Sequence, residues 1–404
     1  MSTPAQGDAS RDQLQRLGVL IATSCIDMIG FAMVLPLMPY YALKLAATPE
    51  QIGFLIASFS IAQLLISPVW GAVSDRYGRR PALLIGLGAS AIAYVVFGFA
   101  NSLWLLFASR IIQGAGGGTT GVAQAYVADT IKPSDRARAL GWLSAASSLG
   151  VSLGPVIGSF AAHWGQEAPG LVAAVLCLLN MIFAWRWLPE SRPAGLTVPP
   201  RRPIWHAALT ILQHPGRPVS RLILIYGAGM LGFSAMTSIL PLFLNARFGV
   251  TEKTIGYFFL YVGALSFVMR SVVLGPVVAR IGEMGAMRVG TMTLMLGLFV
   301  YPLPRTLWLL AAIIPLIPIG TALLFPATTS LMSRATPQEE LGVTMGVAQT
   351  FAGLARVIAP LVATVAYQRI GIGSPFIVAG IIVALVGVLA YRIAAPPRLA
   401  SEET

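Results

Sequence analysis

Long apolar runs alternate with short polar segments along almost the whole chain. We place these runs at 17–39, 52–73, 82–100, 104–128, 139–163, 169–188, 219–244, 255–279, 286–303, 307–332, 341–366 and 373–394. A membrane-spanning helix needs roughly 20 mainly apolar residues, so this pattern predicts twelve transmembrane helices. The short alternating segments of about ten residues that are typical of outer-membrane barrels do not occur in the sequence.

The longest break in the apolar pattern is rich in proline and arginine, and it separates six predicted helices from six. We therefore predict five regions, namely a cytoplasmic N-terminal tail at 1–16, a first bundle at 17–188, a cytoplasmic linker at 189–218, a second bundle at 219–394 and a cytoplasmic C-terminal tail at 395–404.

The two halves carry the same glycine and arginine pattern. Gly71, Arg76 and Gly78 recur as Gly275, Arg280 and Gly282, about 204 positions later in each case. Parallel six-helix repeats with a site at their interface near mid-membrane are typical of secondary transporters. The predicted fold class is an all-α polytopic membrane protein with two pseudo-symmetric six-helix bundles.

Composition supports the membrane assignment, because 56% of the residues are hydrophobic and only 10% are charged. Soluble proteins contain about 45–50% apolar and about 25% charged residues. The net charge of +12 does not indicate a nucleic-acid partner, because the basic residues fall in loops on one side. With the N-terminus inside, 19 Lys and Arg lie in inner segments and five in outer loops, so the positive-inside rule places both termini in the cytoplasm.

The stretch 71–80 is a dense charged segment between two apolar runs. Its residues Gly71, Asp75, Arg76, Gly78, Arg79 and Arg80 predict a tight loop on the inner face, with Asp75 near the start of a helix. Asp129, at the inner end of the fourth helix, is the expected partner of Arg76 or Arg79. We interpret this group as a conformational latch that stabilises an outward-open state. We expect Gly71 to let the second helix approach the eleventh.

The second copy of this loop has Ala279 where the first has Asp75. The latch is therefore expected to have an acidic member in the first half only.

Asp27 is the only acid well inside a predicted membrane run. An ionisable group at that depth costs roughly 2.5–3.5 kcal/mol on insertion scales, so such residues are usually functional. Burial disfavours the charged form of a carboxyl, and a carboxyl so placed can take up a proton on one side and release it on the other. Arg110, in the outer half of the fourth helix, needs a partner, and Gln113 lies one turn away.

A wide cavity between the halves is expected to bind substrate. Its predicted wall consists of Asp27, Phe31, Phe59, Gln63, Phe233, Met236, Tyr257, Tyr261, Arg270, Phe325, Gln349 and Arg356. An apolar cavity with few polar groups suits amphiphilic compounds. Arg270 and Arg356 are expected to neutralise an anionic or zwitterionic substrate, to pair with Asp27 in one state, or to bond backbone oxygens.

Gly150, Gly154 and Gly158 follow one another at a spacing of four in the fifth helix, with Pro155 among them. Small residues at this spacing permit close helix approach, and a proline kinks a helix. We interpret the motif as a tight seam between the halves that bends during transport.

Several motifs resemble those of one family. The loop at 71–80 is similar to the loop motif of the major facilitator superfamily. Asp27-Met28-Ile29-Gly30, Arg110 to Gly114, and Gly150 to Gly158 resemble motifs of its twelve-helix drug:proton antiporters. Ala125 to Asp129 and Leu188-Pro189-Glu190-Ser191 resemble the tetracycline-efflux branch.

This resemblance implies an antiporter in the bacterial cytoplasmic (inner) membrane that contributes to antibiotic resistance. Its partners would be a small amphiphilic substrate, protons and membrane lipids, and we expect a monomer. In the family, the arginine at the position of Arg110 is implicated in proton transfer. In this chain we expect Asp27, Arg110 and Gln113 to serve proton coupling. No segment resembles an ATP-binding loop, so a proton gradient rather than a cofactor is expected to supply the energy.

Three other functions remain open. A lipid or sugar exporter or a symporter could share this fold, although Gly154-Pro155 argues against uptake. A non-transporting receptor or assembly factor is disfavoured by the membrane-embedded Asp27. An enzyme is not expected, because the sequence contains no nucleophile–base set and no cluster spaced for metal binding.

Overall fold

The computed structural model describes residues 4–191, 209, 211, 213–214, 216–337 and 340–391. Most of the predicted linker 189–218, the first three residues of the tail 1–16 and the whole tail 395–404 lie outside the described residues. The helices of the described part are α1 (Pro4–Val34), α2 (Met38–Lys44), α3 (Pro49–Tyr77), α4 (Arg79–Gly98), α5 (Leu103–Gly116), α6 (Thr119–Thr130), α7 (Pro133–Ala161), α8 (Ala168–Trp187), α9 (Pro218–Phe248), α10 (Ile255–Val268), α11 (Leu274–Val300), α12 (Leu307–Ile313), α13 (Leu316–Arg334), α14 (Leu341–Arg369) and α15 (Ser374–Tyr391).

The described residues contain no strand, and the predicted all-α membrane fold is confirmed. Among them, ten helical segments are long and apolar enough to cross a membrane. Two local features account for the difference from the twelve predicted helices. The run predicted at 104–128 is interrupted between α5 and α6, and the runs predicted at 255–279 and 286–303 fall within one long segment, 255–300, in which the non-helical backbone of Gly282 still separates two helices.

The interruption between α5 and α6 falls in a run of glycines, which are poor helix formers. Carbonyl groups near the break have side-chain partners. The Trp70 indole N–H donates to the oxygen of Ala115 at 2.5 Å, and the Gln63 amide donates to the oxygen of Gly117 at 3.0 Å. Gly118 is required because a Cβ there would lie 2.4 Å from the Trp70 ring.

Contacts divide the chain into two compact units. The described residues of the first unit fall within Met1–Ala47, Ser58–Pro199 and Thr251–Leu260. In this unit α1 packs along α7, and α4 packs along α5 and α8.

The second unit takes its described residues from Thr48–Ala57, Pro200–Val250 and Tyr261–Thr404. In it α11 packs along α13, and α9 packs along α14 and α15. The predicted bundle boundaries at 17–188 and 219–394 stay predictions.

Candidate functional site

Asp27 of α1 is a buried carboxyl at the centre of the polar side chains of the first unit. It is 8% exposed, and its Oδ2 accepts a 2.9 Å hydrogen bond from the Thr119 hydroxyl. Thr119 is the first residue of α6, so the interruption after α5 places this donor. A buried charge is costly unless it is paired, and the partner here is a neutral hydroxyl. This setting suits a carboxyl that carries a proton.

Arg110 and Gln113 lie together in α5, as the spacing along one helix predicts. Arg110 Nη2 donates to Gln113 Oε1, and Gln113 Nε2 donates to the Tyr94 hydroxyl at 2.7 Å. The guanidinium carbon lies 5.1 Å from the centre of the Phe59 ring, which is itself 5.1 Å from the Phe31 ring. Tyr94 is within electrostatic reach of both Asp27 and Arg110.

The Arg110 side chain is almost fully buried, at 1% exposed. Its Nε and Nη1 atoms have no hydrogen-bond partner within the described part of the chain. A cation over an aromatic face is stabilised by about 2 kcal/mol or more when it is desolvated. The Phe59 ring thus provides part of the compensation that a carboxylate would otherwise supply.

A second polar cluster, with Arg79 at its centre, lies at the start of α4. The Arg79 guanidinium contacts Asp75 Oδ1 at 2.7 Å and Asp129 Oδ2 at 2.8 Å. Its Nη1 donates to the Ser74 hydroxyl at 2.6 Å. Arg79 is 3% exposed, so this is a buried ion-pair network that ties together the ends of α3, α4 and α6.

Glu190 completes this cluster from a distant part of the sequence. Its Oε1 accepts from the backbone N–H of Arg79 at 2.8 Å, and its Oε2 accepts from that of Arg80 at 3.1 Å. The first N–H groups of a helix have no partner inside the helix, and negative charge is favoured there. Gly78, with φ 104°, makes the turn into α4, and a Cβ on it would lie 2.4 Å from Glu190 Oε2.

One detail of the predicted latch is corrected, and one of its open alternatives is resolved. Asp75 lies in the last turn of α3 rather than at the start of a helix, so the Arg79 guanidinium and not a helix dipole offsets its charge. Asp129 pairs with Arg79, whereas Arg76 is exposed and its guanidinium lies over the Tyr77 ring at 5.4 Å. The expected approach of Gly71 to the eleventh helix stays a prediction.

The prediction of an acid in the first half only is also wrong. In the second unit Gly282 repeats the turn of Gly78, with φ 71°. Glu283 follows it, accepts from the Ser330 hydroxyl at 2.7 Å and pairs with Arg334 at 3.1 Å. The acid was missed because the charge order is reversed, with a carboxylate at the position of Arg79.

The three glycines of α7 face α1 of the same unit. A Cβ on Gly150, Gly154 or Gly158 would lie 2.4–2.6 Å from a backbone oxygen of α1. The same helix also contacts Gly256, whose backbone N–H donates to the Ser159 hydroxyl at 3.0 Å, and the predicted role of the motif at a seam between the halves stays a prediction. Pro155 lies inside α7, as predicted.

Part of the predicted cavity wall comes together in the second unit. The Phe325 ring lies 5.5 Å from Tyr226 and 6.4 Å from Phe233, edge-on in both cases. Tyr226 is hydrogen-bonded to Gln349 and lies within electrostatic reach of Arg356. The Arg356 Nε donates to a carbonyl of its own helix at 3.3 Å, and the residue is exposed. An aromatic surface is thus placed next to a cation.

The other predicted wall residues are dispersed. Arg270 is exposed and lies in a π-helical turn, Met269–Val273. Tyr257 is 73% exposed, whereas Met236 is only 7% exposed and is packed inside its unit. The Tyr261 hydroxyl donates to the oxygen of Ala311 at 3.2 Å.

A comparison with family models gives a match to the Major Facilitator Superfamily over residues 20–352 and 296–404. The chain belongs to the major facilitator superfamily. The superfamily assignment confirms the sequence-based prediction. The chain is 30% identical over 359 residues to the class C tetracycline resistance protein of Escherichia coli, covering 86% of this chain and 89% of that one.

Two further relatives of this superfamily member are informative. It is 26% identical over 373 residues to multidrug resistance protein 2 of Bacillus subtilis, covering 90% and 91% of the two chains. The solved structure of the nucleoside transporter NupG superposes with a TM-score of 0.75 at 14% identity, covering 94% of this chain and 99% of that one. The first relative supports the drug:proton antiporter branch, and the second supports the fold. These relatives are transporters, in agreement with the prediction that the chain is not an enzyme.

The sequence analysis did not identify four polar residues that contact the predicted site residues or their counterparts in the second unit, namely Thr119, Tyr94, Glu190 and Glu283. Thr119 and Tyr94 carry no signal, because single hydroxyls are common in membrane helices. Glu190 stands in a segment that the sequence relates to tetracycline efflux, which was a usable signal. Glu283 directly follows the repeated glycine Gly282, so an alignment of the two halves could have identified it.

Proposed function

We propose that this protein is a proton-coupled exporter of small amphiphilic compounds that works by alternating access. The observation that carries the proposal is Asp27, a buried carboxyl bonded to the neutral hydroxyl of Thr119 near the Arg110–Gln113–Tyr94 network. Protonation of Asp27 would favour one state and substrate binding the other, so the two ligands compete through one equilibrium.

The names of the relatives support drug export. The class C relative is a tetracycline resistance protein and the Bacillus subtilis relative is a multidrug resistance protein. We extend drug export, but not a particular drug, to this chain. The distribution of Lys and Arg supports a cytoplasmic location for both termini, and the bacterial sources of the relatives support a bacterial cytoplasmic membrane.

We assign substrate contact in the second unit to Phe233, Phe325, Gln349 and Arg356. Their aromatic rings suit the apolar part of an amphiphile, and the exposed Arg356 suits an acidic group on it. Intramembrane cations face a bundle interior or a water-filled cavity, so Arg270 is assigned to the same wall. This assignment predicts that acidic or zwitterionic compounds are better substrates than cations of equal size.

The test uses purified protein in liposomes with an imposed pH gradient and a panel of cationic, neutral and anionic compounds. We expect Asp27→Asn to abolish uphill transport, because an amide carries no exchangeable proton. Exchange of substrate for substrate at equal pH should persist, since it requires no net proton movement.

Asp135→Asn is the matched control, because Asp135 is an exposed acid in the first turn of α7. It should transport at the wild-type rate. Uphill transport at the wild-type rate in Asp27→Asn would remove Asp27 from the mechanism. Failure of wild-type protein to move any compound of the panel would count against export.

A further inference from the structure

A small cavity adjoins Asp27 inside the first unit. Its polar lining comes from α1, α6 and α7, namely Thr23, Ser24, Asp27, Thr119, Thr120 and Ser147. The remaining wall is apolar. The space open to the centre of a water molecule is about 20 Å³. A water needs about 10–15 Å³ by this measure and two to four polar partners, so the cavity meets both conditions.

One wall residue is short of a hydrogen bond. Thr23 is 3% exposed, and its Oγ1 has no partner within the described part of the chain. Other buried threonines bond a carbonyl of their own helix, such as Thr328, whose hydroxyl donates to the oxygen of Leu324 at 2.6 Å. Buried hydroxyls are nearly always satisfied by protein or by ordered water, so the Thr23 hydroxyl requires a partner from the cavity.

The backbone around Thr23 is held in place from α8. Asn180 Nδ2 donates to the Thr23 carbonyl at 2.9 Å. Across the cavity, the Ser147 hydroxyl donates to the oxygen of Leu143 at 2.9 Å, and its oxygen can still accept a second bond. The cavity thus has fixed walls and free hydrogen-bonding capacity.

The cavity lies on one definite side of Asp27. Its apolar wall includes Leu83 and Leu87, which belong to the part of α4 nearest the Arg79 cluster. The titratable groups of packed neighbours within electrostatic reach of Asp27 are Tyr94 of α4 and Cys177 of α8, and Arg110 of α5 lies within reach of Tyr94. Asp27 is the one titratable residue among those that line the cavity, so the proton that a water there takes up or delivers is that of Asp27.

We propose that this cavity is a water site through which Asp27 exchanges its proton with the end of the unit that carries the Arg79 cluster. The water oxygen accepts the proton of the carboxyl and releases another to the next hydroxyl or water. The water is thereby regenerated, and no other bond changes. Thr23 holds the water in place and is a positioning residue. This inference rests on the proposed proton coupling.

The test compares Thr23→Val, which keeps the shape but removes the hydroxyl, with Thr23→Ser, which keeps the hydroxyl. In pH-driven liposome transport we expect the valine variant to be slower by about three- to tenfold, the loss of one hydrogen bond, and the serine variant to be close to wild type. Substrate exchange at equal pH should be unchanged in both. The slowing in D₂O should be larger for the valine variant than for wild type.

Thr328→Val is the matched control, because it makes the same change at a buried threonine of the second unit, and it should leave both assays unchanged. Ala123→Leu fills the cavity from its wall and should reproduce the effect of Thr23→Val if the latter folds poorly. A wild-type driven rate in both Thr23→Val and Ala123→Leu would overturn the water site while leaving the proposed function intact. Unimpaired driven transport in Asp27→Asn would overturn both.

Discussion

The buried Arg79 contacts several partners, both through its guanidinium and through its backbone N–H. Two carboxylates and a serine hydroxyl surround its guanidinium, and its backbone N–H is capped by Glu190. Burying an ion pair is costly, and removing one member is worse because it leaves an uncompensated charge. We therefore expect the cluster to be stable only when all its members are in place. Such a cluster forms or breaks as a whole, as a conformational latch requires.

Asp75→Asn tests this property. The variant keeps the shape but removes one of the two charges that face Arg79, so we expect a destabilisation of about 1–3 kcal/mol and a several-fold lower transport rate. Membrane insertion should be normal, because Asp75 contributes little to hydropathy. Thermal unfolding in detergent and liposome transport measure the two effects.

Asp135→Asn, an exposed acid changed in the same way, should have neither effect. Wild-type stability and rate in Asp75→Asn would mean that the Asp75–Arg79 contact is incidental.

At the scale of single residues, the sequence identifies residues whose type is unusual for their position. It does not identify partners that lie far along the chain. Asp27 stood out because it is an acid in an apolar run, and Arg110 with Gln113 because three residues make one helical turn. Glu190 caps a helix that begins 111 positions earlier, and no local pattern encodes such a partner. Thr23 is recognisable only from the atoms around its hydroxyl.

Among the helices, the contact of α7 with α1 depends on residues that lack side chains. Gly154 lies so close to α1 that a Cβ would be 2.6 Å from the oxygen of Ile29. Gly141 of the same helix has no atom within 4 Å of its Cβ position. Substitution by alanine is therefore expected to have opposite effects at Gly154 and Gly141.

We expect Gly154→Ala to destabilise the protein by about 1–3 kcal/mol, the usual cost of overpacking. Gly141→Ala should be neutral or stabilise by about 0.5–1 kcal/mol, because glycine disfavours a helix. Thermal unfolding of both variants in the same detergent checks the pair. Equal effects would mean that α1 and α7 can separate at no cost.

Hydropathy located the apolar segments, but it did not predict where their helices are interrupted. The run at 104–128 is long enough for one helix, but it is interrupted where Trp70 and Gln63 of α3 donate hydrogen bonds to the oxygens of Ala115 and Gly117. The segment at 255–300 is divided in another way, by the non-helical backbone of Gly282. Apolar length therefore predicts membrane crossing better than it predicts where a helix ends.

Across the whole molecule, the repeat of the two halves preserves backbone shape but reverses charge. Gly78 and Gly282 make the same left-handed turn, yet Arg79 pairs with Asp129 and Glu283 pairs with Arg334. The repeated glycines were visible in the sequence, because glycine adopts a positive φ without the steric cost of a side chain. It did not predict the reversal, because either order of charges satisfies the same geometry.

A charge exchange in the second unit tests whether the pair acts through its charges. Glu283→Arg and Arg334→Glu should each lower stability slightly, by about 0.2–1 kcal/mol, because Arg334 is 59% exposed. The double variant should recover most of the loss. A double-mutant cycle of unfolding temperatures measures the coupling, and additive losses would contradict direct pairing.

The reversed charges also bear on how a duplicated chain assembles in the membrane. Each half must pair its own helix ends although the chain contains a similar set of ends in the other half. Arg79 would meet Arg334 in a wrong pairing, and Glu283 would meet Asp129. Like charges brought together disfavour wrong partners. The charge of each loop is therefore expected to repel the corresponding helix end of the other half. We therefore expect the reversed charges to reduce wrong pairing of helix ends between the two halves while the protein folds in the membrane.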